Sequence, residues 1–210
     1  RIKEHTATHL ADYLEQFSNS LERNGVIVHF AKDAQEFNEM VYGILESHKV
    51  KKLVKSKSML TEECEMNPYL IKRGINVVES DLGERILQLM HLKPAHIVMP
   101  AIHLTRDEIG EMFEEKGISK EKGNHDPAYL TRCAREDLRG DFMDADAGLT
   151  GCNFGVAATG DCVVCTNEGN ADMSTSVPKL HIVAMGIEKV IPDYDSLAVF
   201  QRLLARSGTG

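Results

Sequence analysis

Leu53-Val54-Lys55-Ser56-Lys57-Ser58 is the stretch whose reading decides the fold. A short apolar run opens at once into two ammonium groups and two hydroxyls, and a helical pattern follows from near Thr61. The event recurs twice downstream: residues 75–78 open into Glu79-Ser80-Asp81-Leu82-Gly83-Glu84, and residues 97–99 into Pro100-Ala101-Ile102-His103. Short apolar runs alternating with helices predict an α/β fold, with an open, mostly parallel sheet and helices on both faces. In such a sheet every strand-to-helix loop leaves by the same edge, where ligands bind. Lys55, Lys57, Glu79 and His103 are therefore expected to converge on one crevice.

Upstream, Leu10, Tyr13, Leu14, Phe17 and Leu21 share a helical face, Asn24-Gly25 closes that helix, and residues 26–30 read as a strand. Residues 1–24 are expected as a helical appendage and 25–210 as a single α/β domain. Asp33, with Glu36 three residues on, caps a helix striped by Phe37, Val41, Ile44 and Leu45. Downstream, Gly74 ends the helix after the lysine cluster, and a short helix carries Ile86, Leu87 and Met90. Residues 96–99 read as a strand, and Thr105 with Glu108 opens the helix of Ile109, Met112 and Phe113. Residues 116–127 read as a polar loop, and Leu130, Cys133, Ala134 and Leu138 mark the next helix. From Ala147 glycine punctuates the chain. Apolar runs at 154–157 and 162–165 are set off by turns at Thr159-Gly160-Asp161 and Asn167-Glu168-Gly169-Asn170. Residues 180–185 predict another strand, and Leu197, Phe200, Leu203 and Leu204 a closing helix.

Composition narrows the function classes. The 210 residues carry 24 basic and 32 acidic side chains, a net charge of −8, which argues against nucleic acid or an anionic membrane surface as partner. No apolar stretch approaches the ~20 residues of a membrane span, and no signal peptide is visible. The chain begins at Arg1 and stops after Ser207-Gly208-Thr209-Gly210, and is expected to be an excised domain. Five cysteines, an odd number, do not make a disulfide scaffold and point to a reducing cytoplasm. Cys162 and Cys165 form a CxxC, but residues three apart on a strand face opposite sides and no second CxxC completes a zinc site. A buried structural role is expected for them.

Each cluster admits two readings. Lys55, Lys57 and Ser58, at a helix start, suit a phosphate or carboxylate, or simply form a solvated loop. Asp81 and Glu84 read as a helix cap and its first turn, whereas Glu79, ending a buried strand, is harder to explain by packing. His103 is either a structural hydrogen-bonding group or a proton carrier at the crevice. His96 would lie at the opposite edge. Thr159, Gly160, Asn167, Glu168 and Asn170 make tight turns, or else contact a ligand through a carboxylate and two amides gathered around Gly169. No nucleophile elbow, GxGxxG or Walker loop is present.

At these clusters the chain resembles the lactate-utilisation (LUD) domain family. The likeness rests on the blocks at 55–59, 74–84, 94–103, 150–160 and 166–170, and extends through 178–181 and 185–190. It is greatest to the iron–sulfur subunit of a bacterial L-lactate-oxidising system. The resemblance implies a fold related to the sugar-phosphate isomerase and CoA-transferase superfamily. It also implies oxidation of lactate to pyruvate with other subunits of a lactate-utilisation system as partners, and [4Fe–4S] clusters held in a ferredoxin-like region of the full-length protein. Those cysteine runs are absent here, so no cluster is expected in this chain. Members of the family often carry an acid before the Thr-Gly turn, where this sequence has Ala158, which leaves Glu168 as the acid of interest. In that reading Lys55 and Lys57 attract a small anion, His103 or Glu79 handles a proton, and residues 167–170 shape the floor. Two alternatives stand beside it: a non-catalytic scaffold that docks partner subunits, and a sugar-phosphate or acyl-transfer enzyme of the same fold.

Overall fold

The computed structural model of the chain describes residues 1–96 and 99–209. In chain order the elements are α1 (Ile2–Thr8), α2 (Leu10–Arg23), α3 (Ala34–Ser47), β1 (Lys52–Lys55), α4 (Met59–Glu63), α5 (Met66–Ile71), β2 (Asn76–Glu79) and α6 (Leu82–Met90). There follow α7 (Arg106–Glu115), α8 (Pro127–Met143), β3 (Ala147–Gly151), β4 (Phe154–Val156), β5 (Asp161–Val163), α9 (Asn170–Ser176), β6 (Leu180–Ala184), β7 (Val190–Ile191) and α10 (Tyr194–Thr209).

The α/β expectation holds. Strands β2-β1-β3-β6 form one sheet in which every neighbouring pair is parallel. Because side chains alternate along a strand, the sheet buries two faces. Leu53, Val77 and Leu149 pack on Val41 and Leu45 of α3 and on Met66 and Leu70 of α5. Val54 and Val78 turn the other way, onto Leu138 and Phe142 of α8 and Met173 of α9. Each fully buried leucine of this kind is worth roughly 1.5–3 kcal/mol. A smaller sheet, β5-β4-β7, packs Ala157 and Val190 against Phe17 and Leu21 of α2, and Phe154 and Ile191 beside Leu197 of α10.

The helix starts are local chemistry. Asp33 accepts the Glu36 N–H at 2.9 Å, Asp81 that of Glu84, and Thr105 and Glu108 complete a reciprocal capping box. The outer edge of β2 is closed by a side chain: the Gln88 amide donates to Val77 O at 2.7 Å, and its Oε1 accepts the Glu79 N–H at 3.2 Å. An edge strand is thereby satisfied without a further strand.

One expectation changed, and another falls partly outside the described residues. Residues 26–30 form no strand, and Val26, Ile27 and Phe30 are exposed; a β-prone run needs a neighbour to pair with, and none is offered there. The third apolar run centres on Ile97 and Val98, which lie outside the described residues. His96 and Met99 beside them are not in a strand, and Ala95 N–H instead donates to Pro100 O at 3.1 Å. β3, of composition Ala-Gly-Leu-Thr-Gly, lies beside β1 on the side away from β2. Its glycine is needed there, since a Cβ on Gly148 would lie 1.8 Å from the Ser174 carbonyl oxygen of α9. No helix among the described residues is long and apolar enough to cross a membrane.

Candidate active site at the carboxyl edge of the sheet

Register places the first pair. Lys55 and Glu79 are Cα partners at the ends of β1 and β2, so their side chains leave the sheet on the same face. Lys55 is fully buried, and its Nζ lies 2.8 Å from Glu79 Oε1 and 3.1 Å from Oε2. Asn67 of α5 adds a third bond, Nδ2 to Glu79 Oε1 at 2.5 Å. A buried ion pair repays its desolvation only with such geometry and additional hydrogen bonds. The ammonium of Lys55 is thus engaged by Glu79 rather than turned toward an incoming anion.

A second pair of carboxyls stands beside it. Glu62 of α4 and Glu84 of α6 are hydrogen-bonded to one another. Burial first, then the charges of Glu62 and Glu79, push the Glu84 carboxyl up to about 7, with Lys55 and Lys57 pulling the other way. Burial likewise raises Glu62, against the pull of Lys55. Two acids in contact and poorly hydrated retain one proton between them. With that proton, the three carboxyls of Glu62, Glu79 and Glu84 balance the two ammoniums of Lys55 and Lys57. The pair faces a cavity of about 170 Å³ lined by Met59, Glu62, Glu84, Pro94, Ala95 and His96. His96 Nδ1 accepts the Met99 N–H at 3.1 Å. A wider depression on α2, of about 360 Å³, is lined by the exposed side chains of Asp12, Glu15, Gln16, Asn19 and Arg23 and gathers no buried group.

The residues expected at the crevice divide. Lys55, Lys57, Glu79 and Glu168 come to this edge. Glu168 Oε2 accepts the Leu82 N–H at the start of α6 at 3.3 Å, and burial together with Asp81 raises its carboxyl. Ser58 is buried against Gly151, and its carbonyl holds the Thr61 hydroxyl at 2.8 Å. Asn170 accepts from Thr166 at 3.3 Å, and Asn167 is exposed. Thr159 and Gly160 serve a different contact. Thr159 bonds Asp161 and accepts from Asn24 at 2.9 Å, and Gly160, at φ +79°, lies so close under α2 that a Cβ would come within 2.7 Å of Ser20. His103 is exposed before α7, where its charge acts on Glu108 rather than on the carboxylate cluster. The histidine at the cavity is His96.

Glu62 and Asn67 carried no signal in the sequence, Glu84 read as a first-turn acid, and His96, expected at the opposite edge, instead lines the cavity. No spacing rule links them, because they meet only when α4, α5 and α6 pack around the same strand ends. A [4Fe–4S] cluster requires several thiolates. Among the described residues no three His, Cys, Asp or Glu side chains gather to hold a metal, so these residues do not fit one.

Residues 14–210 match the LUD domain family. Over its whole length the chain is 48% identical to lactate utilization protein B of Bacillus pumilus. It is 44% identical to the proteins of that name from Shouchella clausii and Geobacillus kaustophilus. It spans 44% of the length of each of these relatives. No solved structure matches it significantly. A family match from α2 to the last residue, with full-length likeness to these relatives, means that this chain belongs to the LUD domain family.

Proposed function

We propose that this LUD domain serves L-lactate utilisation and takes lactate, or its oxidation product pyruvate, at the carboxyl edge of its sheet. The observation that carries the reading is that Glu62 and Glu84 line one cavity together, where burial pushes the Glu84 carboxyl up to about 7 against the pull of Lys55 and Lys57. Oxidising lactate removes the hydroxyl proton and, with two electrons, the hydrogen on the adjacent carbon. A carboxyl poised near neutral pH is suited to receive the hydroxyl proton. The Lys57 ammonium is suited to the substrate carboxylate. Glu79, held by Lys55, contributes the negative field that keeps a proton on Glu84. A cavity of about 170 Å³ lies below the ~300–1,000 Å³ of sites for larger ligands, which favours a three-carbon acid over a sugar phosphate.

In this reading the electron acceptors, [4Fe–4S] clusters, belong to the rest of the full-length protein. Other subunits of a lactate-utilisation system are its partners, in the cytoplasm. No step of the chemistry above runs through a cluster. The names of the relatives support the pathway, and the donor set of this chain supports placing the clusters elsewhere.

Calorimetric titration with L-lactate, pyruvate and a sugar phosphate tests it. Saturable binding of lactate or pyruvate is expected, weakened about tenfold or more by Lys57→Met, equivalent to ~1.4 kcal/mol. Absence of binding, selective binding of the sugar phosphate, or indifference to Lys57→Met would overturn it. A second reading, a scaffold that docks partner subunits, is favoured by the apolar stretch between α2 and α3, where Ile27 is 80% exposed. It requires that crevice substitutions spare turnover of the assembled system while Ile27→Asp blocks assembly.

A further inference from the structure

The cysteines of the CxxC are not a buried pair: Cys162 is half-buried on β5 and Cys165 is exposed beyond it. The larger feature that the crevice leaves unused is the outer face of α10. One side of this helix packs. Leu197 is buried beside Phe154, Val156 and Ile191, and the Phe200 ring stacks on that of Phe154 at 5.4 Å. Leu197, Phe200 and Leu204 recur at three and four residues and so share that side. From Gln201 to Ser207 every residue is exposed. The other side carries Asp195, Val199, Arg202 and Arg206, at steps of four, three and four residues, with Leu203 beside them. Val199 is 45% and Leu203 51% exposed. Large aliphatic side chains gathered on one solvent face and rimmed by charge mark a surface that a partner covers. Asp195, Arg202 and Arg206 have no ion-pair partner among the described residues.

The charges choose the occupant. The acid stands at the start of the stripe and the two arginines in its second half, with no further acid after Asp195. Such a stripe complements itself when reversed. An antiparallel pairing that sets Val199 against Leu203 of a second copy brings Asp195 within one residue, about 1.5 Å, of level with Arg206 of that copy. The two-fold axis makes each contact twice, with the apolar pairs between the two ion pairs. A parallel pairing would instead set each charge beside its like. The Arg202 side chains of the two copies lie near the axis at the rim, where their guanidiniums turn to water.

We propose that α10 is a self-association surface through which two copies of this chain pair antiparallel. Val199 and Leu203 form the seam, and Asp195 of each copy meets Arg206 of the other. One helix from each copy gives a contact smaller than the ~1,200–2,000 Å² of standard interfaces. Monomer and dimer therefore exchange, and the dimer fills as concentration rises.

Sedimentation equilibrium over a range of chain concentrations tests the pairing. A monomer–dimer equilibrium is expected, with dissociation made easier by about tenfold or more in Leu203→Asp, which puts a charge into the seam. Asp195→Arg and Arg206→Asp are each expected to weaken the dimer, since each sets like charges opposite one another. An equimolar mixture of those two variants is expected to pair more tightly than either alone, because the mixed dimer restores both ion pairs. All three positions are exposed in the monomer, so the fold is retained. A wild-type chain that stays monomeric throughout would give the face to another partner and overturn the proposal. So would a dimer indifferent to Leu203→Asp, or a mixture that pairs no better than its components.

Discussion

Replacing Glu84 by glutamine removes the titrating group of the crevice while keeping its shape. The carboxyl is 7% exposed and stands at about 7 instead of the ordinary 4.5. A folded-state value above the unfolded one means that the native protein binds this proton more tightly. Its contribution to stability is therefore whole below the unfolded value and is lost as pH rises through about 7. The shift corresponds to at most about 3 kcal/mol. Screening by solvent at the mouth of the cavity reduces that to roughly 1–2 kcal/mol. In Glu84→Gln the amide donates to Glu62 in place of the shared proton, and the loss above neutral pH disappears. Urea titrations from about pH 5 to about pH 8 should show the wild-type chain losing that stability while the variant stays nearly level. At the alkaline end the variant should melt higher, by ~2–4 °C for each kcal/mol. The small slopes from Glu62 and Glu168, which burial also raises, leave a remnant in both proteins. Parallel curves for the two proteins would refute the account of Glu84.

Lys55→Met leaves Glu79 buried without its cation and should cost ~3–5 kcal/mol in urea unfolding, with most of it recovered in Lys55→Met/Glu79→Leu; a single variant as stable as wild type would mean the pair is not desolvated. Gly148→Ala pushes a methyl group into the Ser174 carbonyl of α9, at 1.8 Å before relaxation, and should lower stability by ~1–3 kcal/mol. Thermal melting checks it, and an unchanged midpoint would deny the close approach of α9 to β3.

The alternation of strands and helices was legible because each signal is local. Asp33, Asp81 and Thr105 cap helices with donors three residues away, as their spacing announces. The strands at 53–55 and 75–79 were legible from their apolar runs. β3 was not, because two of its five residues are glycines whose purpose is the approach of other segments: Gly148 for α9 and Gly151 for Ser58. The expected strand at 26–30 failed for the converse reason, having the propensity without an edge to join. Of the candidate site, Lys55, Lys57, Glu79 and Glu168 were visible as residues at strand-to-helix turns, whereas Glu62 was indistinguishable from a surface residue and His96 was expected at the opposite edge.

The amino-acid sequence by itself determined the α/β class, the helix caps and the strand ends that carry Lys55 and Glu79, since these depend on neighbours within one turn or one strand. Only the tertiary structure decided that Lys55 and Glu79 share a register and that Glu62 meets Glu84 over a cavity. Those contacts join segments set side by side by strand order and helix packing. The Glu84 carboxyl is pushed up to about 7 because packing removes water from it and sets Glu62 and Glu79 beside it.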